Sequence, residues 1–144
     1  MGYFSDDMPV PSPNMDDAGF WEHCARRELR FQACADCGLL RHPPIPMCGA
    51  CGSARVNWVA APQEAEVYTY TVVHHASHEC VASRLPYVVA VVSFPGLGDV
   101  RLITNITDID PAQVRIGMRL RMWWDTLSDG SHVPRFRPLE GGTS

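Results

Sequence analysis

The stretch Cys34-Ala-Asp-Cys37-Gly-Leu-Leu-Arg-His-Pro-Pro-Ile-Pro-Met-Cys48-Gly-Ala-Cys51-Gly-Ser53 holds two C-x-x-C pairs separated by ten residues. Two such knuckles present four thiolates to one tetrahedral ion, at about 2.3 Å per Zn–S bond. Gly38 and Gly52, each following the second cysteine of a pair, suit the left-handed backbone that turns knuckle amides toward sulfur. The stretch therefore reads as a zinc ribbon with Cys34, Cys37, Cys48 and Cys51 as ligands. Four thiolates leave no open position for water, so one structural zinc ion is expected, contributing on the order of 10 kcal/mol of coupled folding free energy. Iron is the alternative metal, since tetrahedral sulfur ligation accepts either.

Upstream, residues 1–14 place Pro9, Pro11 and Pro13 among acidic and small polar residues. That composition offers too little apolar surface to order itself, and a flexible tail is expected. From a cap at Asp16 or Asp17, Phe20, Trp21, Cys24, Ala25 and Leu29 recur at helical spacing and predict an amphipathic helix ending near Arg30. Downstream of Trp58, five short strands are expected at 67–73, 87–94, 100–106, 118–126 and 132–137, separated by Gly, Asp or Pro. Asp110-Pro111 supplies an N-cap and an N1 proline for one helical turn, ending at Gly117, between the third and fourth strands. This order predicts a closed Greek-key barrel of the OB type, because closure removes exposed strand edges. A small β-sandwich is the competing architecture. The fold class is mainly β: a tail over 1–14, helix plus ribbon over 15–58, and a five-stranded OB-fold barrel over 59–140.

Twelve basic against sixteen acidic residues give a net charge of -4, a balance that argues against an extended nucleic-acid footprint. All twelve basic residues are arginine; without lysine, Schiff-base and P-loop chemistry are excluded. The longest apolar run, Tyr87 to Val92, falls far short of the roughly 20 residues a membrane helix needs. The amino terminus is acidic where a signal peptide is basic. A cytoplasmic protein is expected, and in that reducing compartment close cysteine pairs read as metal ligands rather than disulfides.

The remaining reactive residues are weaker candidates. His74, His75 and His78, with Glu79 and Cys80 adjoining, offer imidazoles for a metal or for general base work. His74 and His75 point to opposite faces of a strand, however, and both reach one ion only where the strand ends. Cys24 lies on the helix stripe and reads as a buried small hydrophobe, whereas Cys80 falls in a polar loop and is expected to be exposed. Phosphate loops, nucleophile elbows and zincin helices are absent from the sequence. Trp123 and Trp124, with Phe94 and Phe136, are either stacking platforms or, by strand alternation, a core residue beside a partner contact.

Several segments together resemble a known family: Phe20-Trp21-Glu22, Phe31-Gln32-Ala33-Cys34, Arg41-His42-Pro43-Pro44, Cys48-Gly49-Ala50-Cys51-Gly52-Ser53, Tyr68-Thr69-Tyr70-Thr71, Pro86 through Val92, Ile116-Gly117-Met118 and Pro134-Arg135-Phe136-Arg137-Pro138. The family joins a rubredoxin-like zinc ribbon to an acyl-CoA-associated OB-fold and was once catalogued as a domain of unknown function. The resemblance runs from about Phe20 to Pro138, and departs where Pro62-Gln63-Glu64-Ala65-Glu66 replaces the family's glycine-containing turn.

The resemblance implies a non-catalytic accessory subunit for a thiolase-superfamily enzyme, either a thiolase or a sterol-carrier-protein-type aldolase. It equally admits a partner for a hot-dog-fold enoyl-CoA hydratase. Such enzymes act on acyl-CoA thioesters from steroid side-chain or aromatic-acid degradation. A hetero-oligomer such as a heterotetramer is implied, with a CoA thioester bound alongside the partner. Arg101, Arg135 and Arg137 are the electrostatically reasonable CoA contacts, and Phe20, Trp21, Trp123 and Trp124 are the expected partner interface. A stand-alone CoA or single-stranded nucleic-acid binding module is the rival reading, and catalysis by His74, His75 or Cys80 a weaker third.

Overall fold

The computed structural model describes residues 2–139. One helix, α1 (Ala18–Ala25), leads into a three-stranded antiparallel sheet of β1 (Arg30–Cys34), β2 (Leu40–Arg41) and β3 (Val56–Ala60), in the order β2-β1-β3. Five further strands, β4 (Glu64–Val73), β5 (Tyr87–Ser93), β6 (Arg101–Ile106), β7 (Arg119–Thr126) and β8 (His132–Pro138), close a barrel in the order β4-β5-β6-β8-β7. All barrel ladders are antiparallel except the seam between β6 and β8, a parallel contact at Ile106 and Phe136. This is the OB-type barrel expected from the strand and turn order, and it excludes the sandwich.

Local chemistry explains the elements and two boundary differences. At the start of α1, the Asn14 side chain accepts from the amides of Asp16 (2.8 Å) and Asp17 (3.0 Å), while the Asp17 carboxylate accepts from the Asn14 amide (2.7 Å). These bonds order the turn that leads into α1, while Asp17 at the N-cap position makes no side-chain bond to the helix amides. The helix stops five residues before the expected Arg30. Arg27 takes a positive φ of 59°, its amide donates to the Cys24 carbonyl (2.9 Å), and the Glu28 amide donates to the His23 carbonyl (2.9 Å). That is a Schellman closure built on arginine instead of the usual glycine, so the sequence carries no stop signal there. The first barrel strand begins at Glu64 rather than at 67, because Glu64, Ala65 and Glu66 pair with Arg121, Leu120 and Arg119 of β7. Between β6 and β7, Asp110 caps a short 3-10 turn, Pro111–Gln113, by accepting from the Ala112 amide (3.0 Å).

A single core runs from the ribbon into the barrel. Phe31 on β1 meets Phe20 (6.4 Å between centroids) and Phe94 (5.2 Å), and Phe94 reaches Phe136 on β8 (6.1 Å). Leu29, Val67, Val92, Leu102 and Leu120 belong to the same cluster. The ribbon is therefore packed onto the barrel by aromatic rings as well as tethered to it.

The amino-terminal segment is a correction to the expected tail. Phe4 is only 6% exposed and stacks edge-on against Tyr87 (5.1 Å), and the Tyr3 amide donates to both carboxylate oxygens of Asp125 (3.1 and 3.0 Å). Composition undercounted this segment because one aromatic side chain found a preformed niche on the barrel. Cys80 is corrected with it. The residue sits in an unexpected 3-10 turn, Glu79–Arg84, and is 2% exposed, buried with Val81 beneath Phe4.

Candidate functional site

The four knuckle cysteines converge: their sulfurs all lie within 4.8 Å of one another, with 3.5 Å between Cys34 and Cys51 and 3.6 Å between Cys37 and Cys48. A tetrahedral ion with Zn–S bonds of about 2.3 Å demands edges of about 3.8 Å, so the donor set fits a metal. The knuckle backbone is already turned for it. Amides of Asp36 and Cys37 point at the Cys34 sulfur and that of Ala50 at the Cys48 sulfur, each at 3.4 Å. Gly38 (φ 80°) and Gly52 (φ 77°) close the knuckles by donating to the Cys34 and Cys48 carbonyls (2.9 and 2.8 Å). Across the site the Asp36 carboxylate accepts from Ser53 and Arg55, joining one knuckle to the other.

The thiols are unequal. The Cys37 amide, helped by that of Asp36, draws Cys34 down to about 6. The Ser53 amide lowers Cys51, yet proton sharing with Cys34 and the other thiols, together with burial, drives it up to about 12. Metal binding must therefore release protons.

Gln32, which the sequence reading passed over, braces the ribbon. It is buried, and its side-chain oxygen accepts from Arg41 Nε (2.5 Å) and from the Ile45 amide (3.0 Å). A polar residue between the apolar Phe31 and Ala33 was the available signal. His42 sits nearby between Phe20 (4.7 Å) and Phe31 (5.2 Å), with Nδ1 buried and unpartnered, and burial holds its pKa below the ordinary histidine range. The unfolded chain protonates this imidazole near about pH 6.5, before the folded chain does, so stability falls as pH drops below that value. Thermal melting between about pH 7.5 and 5.5 should show a smaller acid-induced drop in His42→Phe than in the parent; equal drops would remove His42 from the account.

The remaining expected site residues scatter. Phe20 is 4% exposed and is the ring that seats α1 on Phe31, reaching the surface only at the edge of a groove described below. Trp21 is half-buried on the rim of the same groove. Trp124 packs against the core, while Trp123 faces outward and donates to Thr107 Oγ1 (2.9 Å). Arg135 is the second correction: it is 7% exposed and committed to Asp125 (2.5 Å) and Asn105 (2.5 Å), which closes it to an outside phosphate. Arg101 stacks on Tyr68 (4.3 Å), and Arg137 is exposed, 4.0 Å from Asp108. His74, His75 and His78 are exposed and form no metal-ligand group among the described residues; His78 Nδ1 instead accepts from the Cys80 amide (3.0 Å).

A groove of about 540 Å³ crosses the outer face of β5, β6 and β8. Val89, Ile103, Asn105 and Arg135 supply its floor, Trp21 and His42 one side, and Phe4, Met8 and Val10 the other. Ile103, 72% exposed, is an uncovered apolar residue on this face.

A closed four-thiolate clip seated on a five-stranded barrel of this topology defines a protein of the zinc-ribbon–OB-fold class. Residues 21–57 match "ChsH2, rubredoxin-like zinc ribbon domain" and residues 58–125 match "ChsH2, C-terminal OB-fold domain". The chain belongs to this ChsH2 family, also called DUF35.

A solved chain of the "Ltp2-ChsH2(DUF35) aldolase" is 40% identical, with a TM-score of 0.81 over 90% of this chain and 98% of that one. A DUF35-family protein of unknown function from Sulfolobus solfataricus, 19% identical with a TM-score of 0.59 over 84% of this chain and 83% of that one, shares the fold. The "Probable enoyl-CoA hydratase alpha subunit" of Thermomonospora curvata is 40% identical over 130 residues, which cover 90% of this chain. The "3-oxo-4,17-pregnadiene-20-carboxyl-CoA hydratase alpha subunit" of Mycobacterium tuberculosis is 36% identical over 126 residues, 88% of this chain. The chain spans only 40% and 39% of the lengths of these two curated relatives. No helix among the described residues is long and apolar enough to cross a membrane.

Proposed function

We propose that this chain is a non-catalytic accessory subunit that docks on and stabilises a thiolase-superfamily enzyme acting on acyl-CoA thioesters, of the kind met in steroid side-chain degradation. The observation that carries this reading is its 40% identity over 98% of a chain from an Ltp2-ChsH2(DUF35) aldolase. The clip holds one zinc ion and serves shape, since four thiolates leave no coordination position for substrate or water. It fixes α1 and β1 against the barrel, and the partner supplies the reacting groups.

Co-expression with a thiolase-like aldolase encoded beside it tests the proposal. The enzyme subunit should co-purify with this chain and gain soluble, active yield several-fold. A partner that is soluble and fully active alone, and never co-purifies, refutes it.

The curated relatives favour a second reading, in which the chain serves an enoyl-CoA hydratase, because both are named hydratase alpha subunits. Pull-down against the two enzyme classes side by side separates the readings. The nucleic-acid alternative loses support from the net charge of -4.

A further inference from the structure

Barrels of this topology bind oligomeric ligands on the outer face of their second and third strands, between the loop that follows the first strand and the loop that precedes the last. Here that face is β5 and β6, flanked by residues 74–86 and 127–131. It is flanked by the chain's own residues, for Phe4, Met8, Pro9, Val10 and Pro11 form one wall of the groove across it, while Ile103 on the floor stays open.

We propose that residues 2–13 are a detachable strap, an internal ligand that covers one side of the barrel's binding face and gives up that seat to an extended peptide segment of similar chemistry. The strap is held at few points. The Tyr3 amide donates to Asp125, Arg84 donates to the Tyr3 carbonyl (2.5 Å) and lies over the Tyr3 ring (4.5 Å), and the Ser5 amide donates to the Cys80 carbonyl (3.2 Å). Phe4 is the one fully seated side chain. The strap joins no sheet, and Pro9, Pro11 and Pro13 withhold backbone donors from any ladder. An attachment of this kind opens locally without unfolding the molecule.

The face it covers has the marks of a peptide site. Asp125 and Arg135 occupy outward positions of β7 and β8, yet they are buried because the strap and each other cover them. Asp125 receives a backbone amide, the Phe4 niche receives an aromatic ring, and Val89 and Ile103 continue the apolar floor beyond. A backbone N–H and an aromatic side chain are what an incoming peptide would bring.

Two cysteines make the test internal. Cys80 lies under the strap with its sulfur 3.2 Å from Met8 Sδ, whereas Cys24 is on the buried face of α1, in the barrel-and-ribbon core rather than in the Phe4 cluster. In the full-length, zinc-loaded chain, thiol modification followed by peptide mass mapping should show Cys80 of Phe4→Ala reacting at least about tenfold faster than in the parent, with Cys24 unchanged. Arg84→Ala should move Cys80 in the same direction by less. An excess of synthetic peptide copying residues 2–13 should restore protection of Cys80 in Phe4→Ala, and the same peptide with alanine at the Phe4 position should not. Cys80 and Cys24 accelerating together, no change at Cys80 in either variant, or no protection by the peptide would each overturn the proposal.

Discussion

Cys37→Ser should lose its metal and, with it, the ribbon. Elemental analysis should fall from one zinc per chain toward none, and the chain should melt earlier and with less cooperativity. The expected effect is large because structural zinc contributes on the order of 10 kcal/mol to so small a module, comparable with the whole stability of an ordinary domain. It should spread beyond the knuckles. β1 runs directly into Cys34, and Phe31, three residues before it, is the ring that links Phe20 to Phe94 and the barrel. Loosening the clip therefore withdraws an aromatic side chain from the common core. A strong chelator should reproduce the loss, more readily at lower pH, where protons compete with the ion for the thiolates. A variant without zinc that melted like the parent would show that the ribbon is held by packing alone.

Asp125→Ala should cost about 3–5 kcal/mol in denaturant unfolding, because removing one member of a buried pair strands the other. Asp125 is 1% exposed, and its loss leaves Arg135 Nε and the Tyr3 amide without their acceptor and the guanidinium without its counter-charge. The informative control is the double variant Asp125→Leu with Arg135→Leu. Replacing both charges by apolar groups is often near neutral, so the double should recover most of the stability lost in the single. If single and double are equally destabilised, the damage lies in packing rather than in a stranded charge.

The two predictions rest on chemistry of different legibility. The cysteine quartet could be read directly, since two short spacings and two glycines with positive φ contain the whole instruction for a knuckle. The strands were legible for a similar reason: β-branched and aromatic runs such as Tyr87 to Val92 lie between prolines and glycines that end them. Asp125 gave no such warning. It shares the outward alternation of Arg119, Arg121 and Trp123, and it is buried by Arg135 of the neighbouring strand together with a segment 122 residues away in sequence. Arg135 was misread as a free cation on the same ground. The end of α1 was hidden because arginine at position 27 performs a turn that glycine usually signals.

The sequence by itself determined the two cysteine knuckles, the mainly β class, the strand segments and the capped turn at Asp110, all of them local: each depends on residues within a few positions of one another. Tertiary structure alone decided that Phe4 and Cys80 are inside, that Phe20 is seated in the core, that Arg135 is spent on Asp125, and that one side of the outer barrel face is lined by the amino-terminal segment. Burial is a property of what else arrives at the same place, and for these residues the neighbours come from distant parts of the chain.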